Sequence, residues 1–400
     1  MKTKPFFVAL LTLAPLMATA QTTRLFTTVE GQPPYRIPAI TTAKNGDLVA
    51  ISDYRPCGND IGYGEVDLVM RRSTDNGRSW SEAVTIADGD GKPGTVECGF
   101  GDAALVTDRK TGHLLLMAVC GNTPYWSAKR DNPNRVARLR STDGGRTWSP
   151  YEEVTEDIYR LFDQSALGPV ESLFFGSGRI MQSRIIKVGK YYRLYAALCA
   201  RPGGNRVIYS DDFGQTWHAL GSIDVSPAPT GDEPKCEELP DGSVVLSSRK
   251  HHGRFFNIYT YTDRKTAQGS WDTPVESNQV EGGIAVGGNS CNGEILLLDV
   301  REAATGQKRK IMLQSLPAGN DRRDVTVFYK EINPKERYTA RTFSENWKRG
   351  LKVSDTLSAY STMTLQKDGR IGFFYEEGPT HYNMVYKSLS VSDLTNGAYK

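Results

Sequence analysis

The 400-residue chain carries 49 Lys and Arg residues against 46 Asp and Glu residues, and it has no strong excess of either charge. Because the charges nearly balance, the composition gives no indication that the protein binds nucleic acid or a membrane surface. With 39 glycines, 19 tyrosines and 38% hydrophobic residues, the composition is typical of an all-β chain rich in tight turns.

The first twenty residues have the pattern of a secretory signal peptide. A basic start, MKTK, precedes the apolar run PFFVALLTLAPLM, and an Ala-Thr-Ala site permits cleavage between Ala20 and Gln21. The run is too short to span a bilayer, and no later stretch is long and apolar enough to do so. We therefore expect a secreted or periplasmic protein whose residues 21–400 form one domain without a membrane span.

A short polar phrase then occurs three times along the chain. It reads STDNGRSW at 73–80, STDGGRTW at 141–148 and SDDFGQTW at 210–217, and a looser copy, YTDRKTAQGSW, occupies 261–271. Each of the first three copies follows a strand-like run, and further short apolar runs bounded by turn residues follow to the end of the chain. Only a turn or two of helix is expected, near 155–164.

This spacing predicts the architecture. A period of about 65–70 residues built from short strands is typical of radially repeated sheets, and about 380 residues then form roughly six of them. The predicted fold is therefore all-β: a six-bladed β-propeller of four-stranded antiparallel blades.

The repeated phrase is interpreted as a folding device. Its aspartate accepts backbone N–H groups, its glycine adopts a positive φ, and its tryptophan packs into the blade. A catalytic residue is needed at one place, whereas Asp75, Asp143 and Asp212 recur once per blade. We therefore assign these aspartates to hairpins and not to catalysis.

The phrase resembles the Asp-box of sialidases (neuraminidases), and Tyr35-Arg36-Ile37-Pro38 resembles their F/Y-R-I-P motif. Further matches extend from about residue 24 to residue 390, so most of the chain resembles a bacterial-type exo-α-sialidase. The resemblance implies release of terminal sialic acid from glycans, glycoproteins or glycolipids. It also implies retention of configuration through a sialyl-tyrosine intermediate, with no metal and no cofactor.

Sialic acid carries a carboxylate on its anomeric carbon, and arginine pairs bidentately with such a group. The resemblance implies three arginines for this task. They are Arg36, Arg249 at the end of DGSVVLSSR, and Arg322 at the start of RRDVTVFYK, with Arg323 as a competitor for the third position.

The same carboxylate would repel an anionic nucleophile, and sialidases use a tyrosine instead. Tyr360 in SDTLSAYSTM matches the nucleophile of the family, and Glu233 in GDEPKCEELPDG matches its base. Glu238 matches a second, structural glutamate of the family, and Glu237 has no counterpart there.

Asp60, in the glycine-rich segment RPCGNDIGYG, matches the general acid/base of the family and follows Arg55 by five residues. Arg55 is expected to support the carboxylate pocket. Asp102 in GFGDAAL resembles a position near the N-acyl or hydroxyl groups of the substrate, although Ala103 replaces the proline usual at the next position.

Several alternatives remain open at this stage. A trans-sialidase or an intramolecular trans-sialidase would use the same residues and differ in the acceptor. A propeller glycosidase of another specificity would not need the arginines, and a non-catalytic sialic-acid-binding propeller would not need the tyrosine and the acids. The six dispersed cysteines are compatible with free thiols or with disulfides.

Overall fold

The computed structural model describes residues 22–400. In this part of the chain the α-helices are short: α1 (Thr155–Tyr159), α2 (Ala340–Ser344) and α3 (Val391–Leu394). The helical turn predicted near 155–164 is α1 together with the 3-10 turn that follows it. None of the helices in the described residues is long and apolar enough to cross a membrane. The predicted signal peptide lies outside the described residues and stays a prediction.

Strand β1 (Thr22–Phe26) comes first in the chain but belongs to the last sheet. Blade 1 consists of β2 (Tyr35–Thr42), β3 (Leu48–Tyr54), β4 (Asp67–Ser73) and β5 (Val84–Ala87). Blade 2 consists of β6 (Phe100–Thr107), β7 (Leu114–Cys120), β8 (Arg135–Ser141) and β9 (Glu152–Glu153). Blade 3 consists of β10 (Ser172–Phe175), β12 (Met181–Val188), β13 (Tyr191–Arg201), β14 (Gly204–Ser210) and β15 (His218–Ala219), while β11 (Gly178–Arg179) pairs with β6.

The second half of the ring continues this order. Blade 4 consists of β16 (Pro234–Glu238), β17 (Val244–Lys250), β18 (Gly253–Asp263), β19 (Gln268–Trp271) and β20 (Val275–Glu276). Blade 5 consists of β21 (Ile295–Arg301), β22 (Lys308–Pro317), β23 (Val325–Glu331) and β24 (Lys348–Lys352). Blade 6 consists of β25 (Ser358–Leu365), β26 (Ile371–Glu377) and β27 (Asn383–Leu389), with β1 as its outer strand.

The pairing of β1 with β27 joins the start of the described chain to its end and closes the ring. The strands of each blade pair antiparallel, and the short β11 joins β6 in parallel. Large buried side chains fill the space between neighbouring blades; one such cluster contains residues of blades 2 and 3. The predicted six-bladed β-propeller is therefore confirmed.

The first repeated phrase forms the hairpin between β4 and β5. Asp75 accepts hydrogen bonds from the backbone N–H of Ser79 (2.9 Å) and from the hydroxyls of Ser79 (2.6 Å) and Ser73 (2.8 Å). Burial alone would raise the pKa of Asp75, but these hydrogen bonds outweigh it and lower the pKa to about 2. Gly77 has a φ of +83°, and a Cβ there would lie 2.2 Å from the ring of Tyr386.

The other copies repeat this arrangement at the same place in their blades. Asp143 and Asp212 each accept the backbone N–H and the hydroxyl of the threonine four residues later. Asp263 in the looser copy accepts the backbone N–H of Lys265 (2.8 Å) in the hairpin between β18 and β19. The interpretation of the phrase as a hairpin device agrees with these contacts.

The tryptophans of the first two phrases contact the neighbouring blade, whereas the sequence predicted that each would pack into its own blade. Trp80 packs edge-on against Tyr386 of blade 6, with ring centroids 5.0 Å apart, and Trp148 Nε1 lies 3.3 Å from the sulfur of Met70 in blade 1. These two side chains therefore contact the preceding blade, because the hairpin folds over the joint between two sheets. Trp217 contacts Phe175 of its own blade, as predicted.

We predict that Asp75→Ala lowers the free energy of unfolding by about 1–2 kcal/mol, because a backbone N–H and two hydroxyls lose their acceptor. Catalysis should be unaffected, since Asp75 does not line the cavity described below. Thermal unfolding of the purified variant measures the loss, with Asp88→Ala, at an exposed aspartate of the same blade, as the control. A large loss of kcat with an unchanged melting temperature would contradict this assignment.

The order and direction of the strands determine which strand ends lie together at one mouth of the ring. The first strands of neighbouring blades contact one another around the axis, as β2 does with β6 and β25. Since the second strand of a blade runs antiparallel to the first, the start of β16 lies beside the end of β17. Residues at the starts of first strands and at the ends of second strands therefore meet at this mouth.

Candidate active site

A cavity of about 290 Å³ opens at this mouth. Its lining includes every residue predicted from the sequence to take part in catalysis or binding: Arg36, Arg55, Asp60, Asp102, Glu233, Arg249, Arg322 and Tyr360. These residues come from blades 1, 2, 4, 5 and 6 or from the loops beside them. Residues that are up to 324 positions apart in the sequence thus line one cavity.

A buried contact in the cavity joins Tyr360 to Glu233. Tyr360 is 6% exposed, and its hydroxyl donates a hydrogen bond to Glu233 Oε1. Arg249 Nη1 donates to Glu233 Oε2 at 3.0 Å and lies 3.3 Å from the tyrosine oxygen. Burial, and then the negative charge of Glu233, raise the pKa of Tyr360 well above its usual value. The hydroxyl therefore keeps its proton at rest, with a carboxylate placed to accept it.

Arginines surround the ring of Tyr360. The guanidinium carbon of Arg36 lies 5.8 Å from the ring centroid and that of Arg322 lies 5.5 Å from it, while Arg249 approaches the hydroxyl. Three positive charges therefore surround one tyrosine at the base of the cavity. Such a group of donors fits an anionic ligand that carries a carboxylate.

The two candidates for the third arginine occupy different places. Arg322 adopts a φ of +56° and lines the cavity. Arg323 is exposed, and its backbone forms an isolated bridge with Leu357. Because consecutive side chains point in different directions, Arg322 reaches the cavity and Arg323 faces solvent.

Asp60 lies at the rim of the cavity, on the loop that follows β3. Its side chain is 63% exposed, and its Oδ1 lies 3.1 Å from Arg55 Nη2. Glycines at 58, 62 and 64 all adopt positive φ angles and allow this loop to turn back over the cavity. A carboxyl at this position is reachable by solvent and by a ligand in the cavity.

Asp102 is the third residue of β6 and lines the same cavity. It adopts a φ of +54°, in a bulge where the pairing of β6 with β7 shifts register. Burial, and then the negative charges of Asp53 and Asp60, raise the pKa of Asp102 well above its usual value. The carboxyl of Asp102 therefore holds a proton more readily than an exposed aspartate does.

The chain matches the family described as BNR repeat-like domain over residues 54–373. It belongs to the BNR repeat-like family. It is 30% identical to a sialidase of Micromonospora viridifaciens over 364 residues, which are 87% of this chain and 50% of that protein. It is 26% identical to a sialidase of Paraclostridium sordellii, covering 89% of this chain and 84% of that protein. The chain thus spans half the length of the first relative and most of the second.

Solved structures show the same fold. A Hadza microbial sialidase superposes with a TM-score of 0.68 at 22% identity, covering 90% of this chain and 66% of that one. A leech intramolecular trans-sialidase superposes with a TM-score of 0.69 at 17% identity, covering 96% of this chain and 72% of that one. The resemblance of this BNR repeat-like protein to bacterial-type sialidases is confirmed by its relatives, and the predicted class, a glycoside hydrolase, agrees with their names.

Sequence reasoning missed Glu376, which holds two residues of the site in this BNR repeat-like protein. Glu376 is fully buried at the end of β26 and pairs with Arg36, with Nε to Oε1 at 2.7 Å. It also accepts the backbone N–H groups of Ile37 (2.9 Å) and Tyr360 (3.2 Å). One carboxylate of blade 6 thus fixes both an arginine of blade 1 and the backbone of the tyrosine. Its sequence signal is a glutamate directly after the run IGFFY, at the end of the strand IGFFYEE.

Glu237 and Glu238, next to the predicted base, lie outside the cavity. Glu238 is buried and accepts the hydroxyl of Ser183 and the backbone N–H of Arg184, which agrees with the structural role that the resemblance implied. Glu237, for which the resemblance implied nothing, is fully buried and pairs with Arg179 (3.1 Å) and Arg184 (2.5 Å). Glu238 thus joins β16 to blade 3, while Glu237, which also accepts the backbone N–H of Leu297 at 3.1 Å, joins β16 to blades 3 and 5. These contacts fix the strand that follows Glu233.

All six cysteines in residues 22–400 are free thiols. Two of them lie against the site: Cys199 donates to Asp232 Oδ1 at 3.3 Å, and Cys291 packs in a cluster with Tyr360. Burial raises the pKa of both thiols above the usual value. They therefore act as small apolar side chains behind the charged groups.

Proposed function

We propose that the protein is an exo-α-sialidase that hydrolyses the bond between a terminal sialic acid and the rest of a glycan, with retention of configuration. The observation that supports this proposal is the Tyr360–Glu233 hydrogen bond in the cavity, with three arginines around the tyrosine. A neutral nucleophile, a base and a cationic pocket are the groups that a sugar with a carboxylate on its anomeric carbon requires.

In the binding step, the sialic acid carboxylate pairs with Arg36, Arg249 and Arg322. Glu376 keeps Arg36 oriented before the substrate arrives, so little side-chain entropy is lost on binding. The anomeric carbon then lies above the hydroxyl of Tyr360, between these cations and the carboxyl of Asp60 at the rim.

In the first chemical step, Asp60 donates its proton to the glycosidic oxygen and the bond from that oxygen to the anomeric carbon breaks. The oxygen of Tyr360 forms a bond to the same carbon, and its proton passes to Glu233. The product is a sialyl-tyrosine, a protonated Glu233 and an ionised Asp60, while the leaving glycan carries the proton from Asp60.

In the second step, Asp60 takes a proton from a water molecule whose oxygen attacks the anomeric carbon. The bond to Tyr360 breaks, and the tyrosine oxygen recovers its proton from Glu233. Two inversions at one carbon give net retention, and every group returns to its initial state. Asp60 suits the second role because its exposed side chain can meet water.

Transfer to another sugar, or to a hydroxyl of the sialic acid itself, would use the same residues. The solvent-exposed position of Asp60 favours water as the acceptor and therefore hydrolysis. A protein that only binds sialic acid would not need a tyrosine that donates a hydrogen bond to a base. The buried pair of Tyr360 and Glu233 therefore favours an enzyme over a binding protein.

We also propose that the protein acts outside the cytoplasm on sialylated glycans, glycoproteins or glycolipids. The proposal is supported by the basic start, apolar run and cleavage pattern of the first twenty residues. Cell fractionation of the native host, followed by mass spectrometry of the mature N-terminus, tests it. A chain that keeps these residues and stays in the cytoplasm would contradict it.

The catalytic proposal is tested by comparing aryl glycosides. The protein should hydrolyse 4-methylumbelliferyl α-sialoside and leave the matching β-galactoside and β-glucoside intact, because only the sialoside carries a carboxylate for the arginines. Cleavage of the neutral glycosides, or of none of the three, would contradict the proposal.

The third arginine can be identified by paired substitutions. Arg322→Lys should raise KM for the sialoside about tenfold or more, because lysine cannot pair bidentately with the carboxylate. Arg323→Lys is the matched control and should leave KM unchanged, since Arg323 is exposed outside the cavity. Steady-state kinetics on the aryl sialoside give both values, and a KM raised by Arg323→Lys alone would reverse the assignment.

A further inference from the structure

Tyr382 lies beside Arg36, one of the three arginines of the candidate site. It is half-buried and directly precedes β27, at the end of the turn that follows β26. The centroid of its ring lies 5.0 Å from the guanidinium carbon of Arg36, and the ring centroid of Tyr360 lies 5.8 Å from the same carbon. Tyr382 also packs against the apolar cluster that contains Ile37 and Tyr360. The guanidinium of Arg36 therefore contacts two aromatic rings, and the ring of Tyr382 lies outside the cavity lining.

Glu376 occupies one edge of the Arg36 guanidinium. Nε donates to Glu376 Oε1 at 2.7 Å and Nη2 donates to Oε2 at 3.3 Å, whereas Nη1 makes no hydrogen bond within residues 22–400. Nη1 is therefore the nitrogen that remains for the carboxylate of a ligand. A planar guanidinium that is held along one edge can still tilt about that edge, and a ring packed against it opposes the tilt. Tyr382 thus supplies a contact that Glu376 does not.

An aromatic ring suits this position better than a second acid. Another carboxylate beside Arg36 would compete with the ligand for Nη1 and would cancel the positive charge that attracts the ligand. An aromatic ring attracts the cation through its negative face and adds no net charge. The hydroxyl of Tyr382 makes no hydrogen bond in the described part of the chain, so the contact with Arg36 belongs to the ring.

We propose that Tyr382 is a positioning residue for the carboxylate of the substrate: its ring holds the guanidinium of Arg36 so that Nη1 stays available to the ligand. This inference rests on the function proposed above, and it adds a residue that the sequence did not single out. Tyr382 does not line the cavity, so it acts through Arg36 and touches neither the substrate nor the reacting atoms. Its loss should therefore weaken binding and leave the chemical steps intact.

The test measures binding and turnover separately. Calorimetric titration gives the Kd of free sialic acid, and steady-state kinetics on an aryl sialoside give KM and kcat. Tyr382→Leu should raise Kd and KM about three- to tenfold, because the attraction between the ring and the cation is lost. The value of kcat should stay within about twofold, since the ground state and the transition state lose the same contact. Tyr382→Phe should match the unmodified protein in all three values, because it keeps the ring.

A double substitution tests whether the effect passes through Arg36. In an Arg36→Ala background, Tyr382→Leu should cause no further change in kcat/KM, because the cation that the ring contacts is absent. A further fall of the same size as in the unmodified background would overturn the inference.

Tyr192 provides a matched control away from the site. Its half-buried ring has its centroid 4.4 Å from the guanidinium carbon of Arg109, and neither residue lines the cavity. Tyr192→Leu should leave Kd, KM and kcat unchanged. If thermal unfolding shows that Tyr382→Leu is not folded, Tyr382→Met replaces it, because the flexible thioether fills the space of the ring without its negative face.

The outcomes separate this inference from the proposed function. If the unmodified protein binds sialic acid and hydrolyses the sialoside, unchanged Kd and KM in Tyr382→Leu, or equal losses in Tyr382→Leu and Tyr382→Phe, would overturn the inference alone. A fall in kcat at unchanged KM would overturn it as well. Binding without turnover by the unmodified protein would overturn the proposed function, and the Kd values would then decide the inference. Neither binding nor turnover would overturn both together.

Discussion

Tyr360→Phe is expected to lower kcat on an aryl sialoside by about three orders of magnitude or more, because it removes the atom that attacks the anomeric carbon. The phenyl ring fills the same space, and Glu233 keeps its ion pair with Arg249 at 3.0 Å. Binding of free sialic acid should therefore change little, since the arginines around the ring are untouched. Stopped-assay kinetics and calorimetric titration with sialic acid measure the two effects.

A matched control comes from the same blade. Tyr375 is a fully buried tyrosine of β26 that does not line the cavity, so Tyr375→Phe should leave kcat near that of the unmodified protein. Full activity of Tyr360→Phe would remove this residue from the mechanism. A parallel loss in both variants would instead indicate a general effect of losing a buried hydroxyl.

Glu233→Gln is expected to lower kcat by about 10²–10⁴-fold, because an amide cannot accept the proton of Tyr360. Stability should be kept or raised, since the substitution removes a nearly buried charge from a functional site. Glu238→Gln, at a buried glutamate of the same strand, should show the opposite pattern. It weakens contacts with Ser183 and with the backbone of Arg184, so it should lower the melting temperature and spare kcat.

Thermal unfolding and steady-state kinetics are to be measured on four proteins: the unmodified protein, Tyr360→Phe, Glu233→Gln and Glu238→Gln. If Glu233→Gln lost stability and kept its kcat, the glutamate would be a structural residue and the base would have to be sought elsewhere. Asp232 would be the next candidate, because its Oδ2 lies 3.2 Å from Arg249 Nε at the edge of the same cavity.

The architecture was predictable because the repeated phrase is local chemistry. A hairpin that needs an aspartate, a glycine and a tryptophan has nearly the same sequence in blades 1, 2 and 3, so the copies report the period directly. The candidate site residues were predicted for the opposite reason: the motifs of Tyr360, Glu233 and Asp60 occur once each, in contexts that resemble a known family. Their meeting in one cavity follows from the arrangement of strand ends around the ring.

Residues that act across blades were not predictable in this way. Glu376 lies near the end of the strand IGFFYEE, and Asp53 lies near the end of LVAISDY and accepts the backbone N–H of Asp102 in blade 2 at 3.1 Å. Nothing nearby in the sequence shows what these two carboxylates contact. The partner of Glu376 is Arg36, 340 residues away, and it becomes a neighbour only when the ring closes. The choice between Arg322 and Arg323 depends on a backbone with positive φ just before β23, which the sequence does not show. The packing of Trp80 on blade 6 depends on the same ring closure.

The central claim, retaining hydrolysis through Tyr360, is tested most directly by proton NMR of the reaction with sialyllactose isomers. The account predicts that free sialic acid forms, with the α-anomer appearing first and converting to the β-anomer with time. The β-anomer as first product would contradict retention, and an anhydro-sialic acid or a newly sialylated sugar as the main product would contradict hydrolysis.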